Sequence, residues 1–317
     1  MNQSPATSPA RAGEQHCAPK AASLWLGLAV VAAAVLWQGI GTAVVGRFVE
    51  PELGTFATFT AFLSASIIAL ILSRFSGARR SGKSAANSLK PADWLKLNLV
   101  TAGAFACFYV SATMIPATAA SVIETGLGPI AVALAMFLFH RGVSARTLLH
   151  PVAVLLAAAA VAWFVFAAQK ADNGYLVLGI GLSAAAGLCA AGVLLVSRQL
   201  AERGISASAM SVARFHLAWM LCGLLSLPSL LAGTPEIGEL LGIAALSVFA
   251  ISAPILLLQW GITLAKPLHS AIIISALPAV VLATDTLLGA ALTGSIAAAM
   301  GVLVGILLLG LRRVPKR

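Results

Sequence analysis

Apolar residues along this chain fall into ten long blocks, at 24–45, 54–73, 97–115, 117–139, 148–168, 175–197, 211–232, 239–260, 267–290 and 294–311. Short polar connectors separate them. Crossing a hydrocarbon core of about 30 Å at 1.5 Å per residue takes roughly 20 apolar residues in helical conformation. Inside lipid, a helix also satisfies its own backbone groups. The pattern therefore predicts an all-α integral membrane protein with ten transmembrane helices. Residues 1–23 are rich in Ala, Ser, Pro and polar groups and read as a disordered cytoplasmic tail. The first block is too long for the apolar region of a signal peptide and reads as a retained helix.

Composition agrees with this pattern. Of 317 residues, 60% are hydrophobic and 9% charged, against about 25% charged in a soluble domain. That excludes a soluble globular protein, bulk disorder and a disulfide-stapled module. The four cysteines, Cys17, Cys107, Cys189 and Cys222, include no C-x-x-C pair. The net charge of +10 is read as membrane topology rather than as a nucleic-acid surface, because of where the cations sit. With the N-terminus in the cytoplasm, 18 Lys and Arg fall inside, and only Arg47 and Lys170 fall outside. An inner face this positive fits ten spans with both termini cytoplasmic.

The two halves of the chain match. Ala32–Trp37 aligns with Ala184–Cys189, and the run from Ser121 to Pro129 aligns with that from Ser270 to Pro278, with the same spacing of eight from Ser to Pro. Helices 1–5 then correspond to helices 6–10. Because five is odd, the halves insert in opposite directions, giving two inverted five-helix repeats, 24–168 and 169–317. Inverted repeats are a transporter architecture, with a site near the midplane where the halves meet.

In these features the chain resembles the drug/metabolite transporter superfamily and, within it, the EamA-type transporters. The stretches that carry the likeness are Ala117-Thr118-Ala119-Ala120-Ser121…Gly128-Pro129, His269-Ser270-Ala271…Leu277-Pro278 and Ala213-Arg214-Phe215. The run Glu124-x-x-x-Gly128-Pro129 is also similar to amino-acid exporters of the threonine/homoserine type. Such repeats often place an acidic residue after their fourth and ninth helices, where this chain has Arg141 and Ala290. The resemblance implies a bacterial inner-membrane exporter in which helices 5 and 10 act mainly as support.

There is no P-loop, no dinucleotide fingerprint and no His/Cys metal set, so no cofactor is expected. Without an ATP site, uphill transport must draw on an ion gradient or on exchange. Two acids lie well inside the blocks, Glu124 in helix 4 and Asp285 in helix 9. An acid at bilayer depth costs of order 3 kcal/mol and should face the bundle interior or water. Both are expected in the outer half, where they can share a cavity. On this reading Asp285 loads a proton and Glu124 pairs with a substrate ammonium group. The plainer alternative is a hydrogen bond to a neighbouring helix.

The remaining substrate candidates are Trp37, Gln38, Tyr109, Ser121, Trp260 and Ser270, with Gln259 beside Trp260. His269 joins Glu124 and Asp285 as a proton-coupling candidate, whereas His140, His150 and His216 read as interfacial. Pro129 and Pro278 sit at matching places and are hinge candidates. Arg214 is placed only a turn from the inner surface, where it snorkels to headgroups or pairs with carbonyls, the alternative being bidentate binding of a substrate carboxylate. On that placement it lies across the bilayer from Glu124, and the two do not grip one small zwitterion.

The expected function is a secondary transporter, not an enzyme, exporting a small metabolite (an amino acid or related compound) or a drug by alternating access. Its partners are the lipid bilayer, a small-molecule substrate and, if it is coupled, protons; the sequence sets no oligomeric state. A gradient-driven facilitator or importer is the alternative of the same class. A membrane-embedded enzyme is disfavoured, because the His residues and the acids fall on opposite sides.

Overall fold

A computed structural model of the chain describes residues 21–50, 53–75, 89–139, 148–169, 176–232, 235–289 and 292–312. Most of the N-terminal tail, the basic connector after Arg74, His140, Arg141 and Ala290 lie outside the described residues. What is described is helical throughout. In chain order the helices are α1 (Ala21–Phe48), α2 (Gly54–Phe75), α3 (Pro91–Met114), α4 (Ala117–Phe139), α5 (Leu149–Gln169), α6 (Leu176–Glu202) and α7 (Ala207–Arg214). There follow α8 (His216–Ala232), α9 (Ile237–Ser247), a π-helical turn (Val248–Ser252), α10 (Ala253–Leu264), α11 (Pro267–Ile274), α12 (Leu277–Leu287) and α13 (Gly294–Arg312). Among the described residues, eight helical stretches are long and apolar enough to cross a membrane. Their outer faces expose large apolar side chains such as Leu36, Trp163, Leu231 and Leu287. Such a surface suits lipid rather than water.

Proline sets several boundaries. Lys90, Ile115 and Lys266 are extended, and each precedes a proline that opposes the helical conformation of its predecessor. The structure therefore starts α3 at Pro91, six residues before the expected block. α6 runs on to Glu202 and stops at Gly204, whose φ of 84° permits the turn. Ser206 then caps α7 by accepting from the Ala209 N–H at 3.2 Å.

Three expected blocks are interrupted. The block 211–232 is two helices, α7 and α8, parted at Phe215. Asn98 of α3 fills the gap: its amide donates to the Ala213 carbonyl at 2.6 Å and accepts from the Leu217 N–H at 3.1 Å. The stretch α9–α10 carries the π turn, where the Ala253 N–H reaches the Val248 carbonyl. Pro254 follows directly and has no N–H to continue the ladder. The block 267–290 breaks at Ser275–Ala276, just ahead of Pro278, whereas α4 continues through Pro129. The two prolines thus differ in effect. One is accommodated inside a continuous helix, and the other begins a new one.

Packing pairs elements from the two parts of the chain. α1 lies against α10, α11 and α12, and α6 lies against α3 and α4. α2 packs on α8, and α5 packs on α13. An aromatic cluster ties α2, α3 and the α7–α8 junction together, with Phe62 4.5 Å from Phe105 and 5.5 Å from Phe215 between ring centroids.

Candidate functional site

A cavity of about 130 Å³ opens where α1, α3, α4, α6, α7, α10, α11 and α12 converge. Most of its wall is aliphatic or aromatic. The polar exceptions are Gln38 and Thr42 on α1, Ser121, Glu124 and Thr125 on α4, and Arg214 at the end of α7. Ser121 and Glu124 are three residues apart and therefore share a helix face.

Arg214 is held by neutral groups. Its guanidinium donates to the side-chain oxygen of Gln259 on α10 and, at 3.4 Å, to the Thr101 hydroxyl on α3. Its Cζ lies 5.1 Å from the centre of the Phe215 ring. The Gln259 amide N–H faces the Met210 sulfur at 3.8 Å. Both Arg214 and Gln259 are buried. This corrects the expectation that Arg214 snorkels to the surface. The helix that carries it begins at Ala207 rather than at 211, so seven residues of rise put Arg214 about 10 Å along the helix axis from its start.

Glu124 stands on another wall of the same cavity. α6 comes very close behind it: a Cβ on Gly187 would lie 2.5 Å from the Glu124 carbonyl oxygen. Glycine is required for that approach. Among the described residues no ion pair reaches Glu124 or Arg214; the two ion pairs are Arg198–Glu202 and Arg203–Asp93. One cavity contains both Glu124 and Arg214.

The other sequence candidates divide. Gln38, Ser121 and Glu124 line the cavity. Trp37 is half-buried and packs on Phe249 at 5.2 Å, its indole N–H buried without a partner. Ser270 and His269 sit on α11 outside the lining, with the Ser270 hydroxyl and His269 Nδ1 also buried without partners. Asp285 is half-buried on α12 and is not a lining residue either. Trp260 is 45% exposed on the outer side of α10, which suits a lipid contact rather than a substrate platform. The Tyr109 side chain lies outside the described residues.

Thr101 and Asn98 were not anticipated. They are buried polar residues three apart near the start of the third apolar block. That spacing on one helix face was the available signal. Among the described residues no group of His, Cys, Asp and Glu is arranged to hold a metal ion.

No family model and no curated protein matches this chain. A solved protein crystal structure does, with a TM-score of 0.66 and 19% sequence identity, over 92% of this chain and 99% of that one. At that identity the likeness speaks for the fold alone.

Proposed function

We propose that this protein is a secondary transporter of the inner membrane that exports a small organic metabolite by alternating access. The observation that carries the reading is the cavity itself. It is enclosed by helices from both parts of the chain and holds an acid and an arginine that touch no opposite charge. Ionisable residues at bilayer depth are expensive and mark solute or ion pathways.

The packing supports two inverted repeats. If α1 through α5 match α6 through α13, the contact of α1 with α10 corresponds to that of α6 with α3. The contact of α1 with α11 and α12 likewise corresponds to that of α6 with α4. The α2–α8 and α5–α13 contacts each relate an element to its own counterpart. On this reading the ten blocks are ten spans, three of them interrupted, and both termini are cytoplasmic. Interrupted helices near the repeat interface suit a transporter site.

Cavity size favours a metabolite over a drug. At about 130 Å³ it is well below the roughly 300–1,000 Å³ of drug-sized sites. Export is what the resemblance implies, and the two intramembrane acids make a proton the candidate coupling ion.

The test is efflux from proteoliposomes loaded in turn with amino acids and cationic dyes, with and without a pH gradient. Saturable efflux of a small metabolite, accelerated by the gradient, is the expected result. Absence of protein-dependent flux for every solute in the panel would overturn the transporter reading.

A further inference from the structure

The residues that precede the two matched prolines both line the cavity, and they fill it differently. Gly128 precedes Pro129 within α4, and Leu277 precedes Pro278 at the start of α12. Where α12 projects a leucine, α4 projects nothing. Beyond its chain neighbours and its own helix backbone, a Cβ on Gly128 would meet no atom within 4 Å. Helical spacing puts Gly128 one turn beyond Glu124, on the face that also carries Ser121 and Thr125. The bare position is therefore part of the space beside Glu124.

Neither packing nor the proline requires glycine there. Close helix approach accounts for other glycines of the bundle. Gly126, two residues earlier and about 200° around α4, would set a Cβ against that of Ala158, and Gly187 meets the α4 backbone. Gly128 closes no such contact. A residue before proline is steered away from helical geometry, and glycine would ease that conflict. Ala253 shows that the bundle does without such relief. It precedes Pro254 at φ −62° and ψ −50°, fully helical and carrying a Cβ. What glycine supplies at 128 is room.

We propose that Gly128 sets the upper size of the solute, whose apolar body seats against the bare α4 wall beside Glu124. The cavity holds only about 130 Å³, so each carbon added at 128 removes a sizeable share of it. Elsewhere the lining carries side chains such as Phe105, Leu258 and Ile274. One methylene more or less in an apolar pocket changes selection about 10–200-fold. Exchanging glycine for alanine is thus enough to move the size limit. This assignment deepens the transporter reading and rests on it.

The test is efflux from proteoliposomes of the full-length protein, with Gly128→Ala and Gly128→Val beside the parent. The probes form two series graded in apolar bulk: glycine, L-alanine, L-valine and L-leucine, and alkyltrimethylammonium ions with ethyl to hexyl chains. Gly128→Ala should keep the flux of the smallest transported solute within about twofold. It should lower the flux of the largest about tenfold or more. Gly128→Val should move the limit further down the same series. Gly128→Ala should also unfold at or above the parent's temperature, because alanine favours the helix and meets open space.

A Gly128→Ala protein that slows every transported solute by one common factor would overturn the proposal and leave the transporter reading standing. So would one that keeps the parent's size limit. A clear fall in its unfolding temperature, or failure to fold, would also overturn it, since the added methyl would then collide with the wall. Absence of flux in the parent itself is a different failure: it would remove the transporter reading, and this inference with it.

Discussion

The Ser275 hydroxyl donates to the Thr125 carbonyl at 2.7 Å, and that carbonyl is the one Pro129 leaves without its helical partner. Proline at a given position cannot donate to the carbonyl four residues earlier, so Pro129 frees Thr125. Ser275 sits at the break between α11 and α12 and shares its proton between Thr125 and Ala271, the latter at 2.8 Å. The proline defect in one part of the chain is thus satisfied by the helix break in the other. The two places matched by sequence are physically joined.

Ser275→Ala should therefore destabilise the protein by about 0.6 kcal/mol, and by no more than about 1.7, the range of hydrogen bonds between membrane helices. The effect should depend on Pro129. In a Pro129→Ala background the Thr125 carbonyl regains its N–H, and removing the hydroxyl should matter less. Reversible unfolding in mixed micelles across the four proteins of the cycle gives the coupling energy. Additive single and double variants would show that the Thr125 contact contributes no coupling.

Asn98 holds the break that puts Arg214 into the cavity. Its one amide meets both the Ala213 carbonyl and the Leu217 N–H. Asn98→Leu should leave the Leu217 N–H without that partner, at about 1–3 kcal/mol, while the Ala213 carbonyl keeps its 3.1 Å contact with His216 Nδ1. Transport should fall further than stability alone predicts, because Arg214 is the last residue of α7. Unfolding and flux measured on the same preparation separate the two effects. Full flux in a destabilised Asn98→Leu protein would count against a positioning role.

Gly187 offers a sharper steric test. A methyl group there would meet the Glu124 carbonyl oxygen at 2.5 Å and the Leu127 Cβ at 3.0 Å. Because one neighbour is backbone, α4 and α6 must separate. Gly187→Ala should destabilise by about 1–3 kcal/mol, as overpacking does. It should also weaken substrate affinity by moving Glu124. Gly181 has open space around it, so Gly181→Ala is the control expected to do neither.

The all-helical membrane architecture was legible because hydrophobic blocks of span length leave few alternatives. Helix α4 lies at 117–139, where the apolar pattern placed it. Interruptions were harder to see. Nothing local at Phe215 predicts a break, since the cause is Asn98, more than a hundred residues earlier. The break before Pro278 had a signal, but the same signal at Pro129 produces no break, because Ser275 compensates from another helix. Glu124, Ser121 and Gln38 stood out as polar groups in apolar surroundings. The burial of Arg214 did not, because Ser206, Ser208 and Ser211 hide the start of α7 from a hydropathy ruler. Trp260 shows the opposite failure: an aromatic beside a buried Gln259 reads as part of a site, yet one helical step turns it outward.

Asp285 stands apart from the cavity that holds Glu124, and this makes the two acids separable by experiment. It is half-buried on α12, outside the lining residues, so its carboxylate does not serve as the substrate's counter-ion in this conformation. Asp285→Asn should leave substrate affinity within about twofold of the parent protein, a change of less than roughly 0.5 kcal/mol. If Asp285 carries the coupling proton, the same variant should lose the acceleration that an imposed pH gradient gives to efflux, while exchange of substrate across the membrane without a gradient persists. Glu124→Gln should instead lower gradient-driven efflux and exchange together, because it acts on the solute. Proteoliposome flux with both readouts distinguishes these patterns. A gradient response left intact in Asp285→Asn would remove Asp285 from the coupling path and leave Glu124 as the acid to test next.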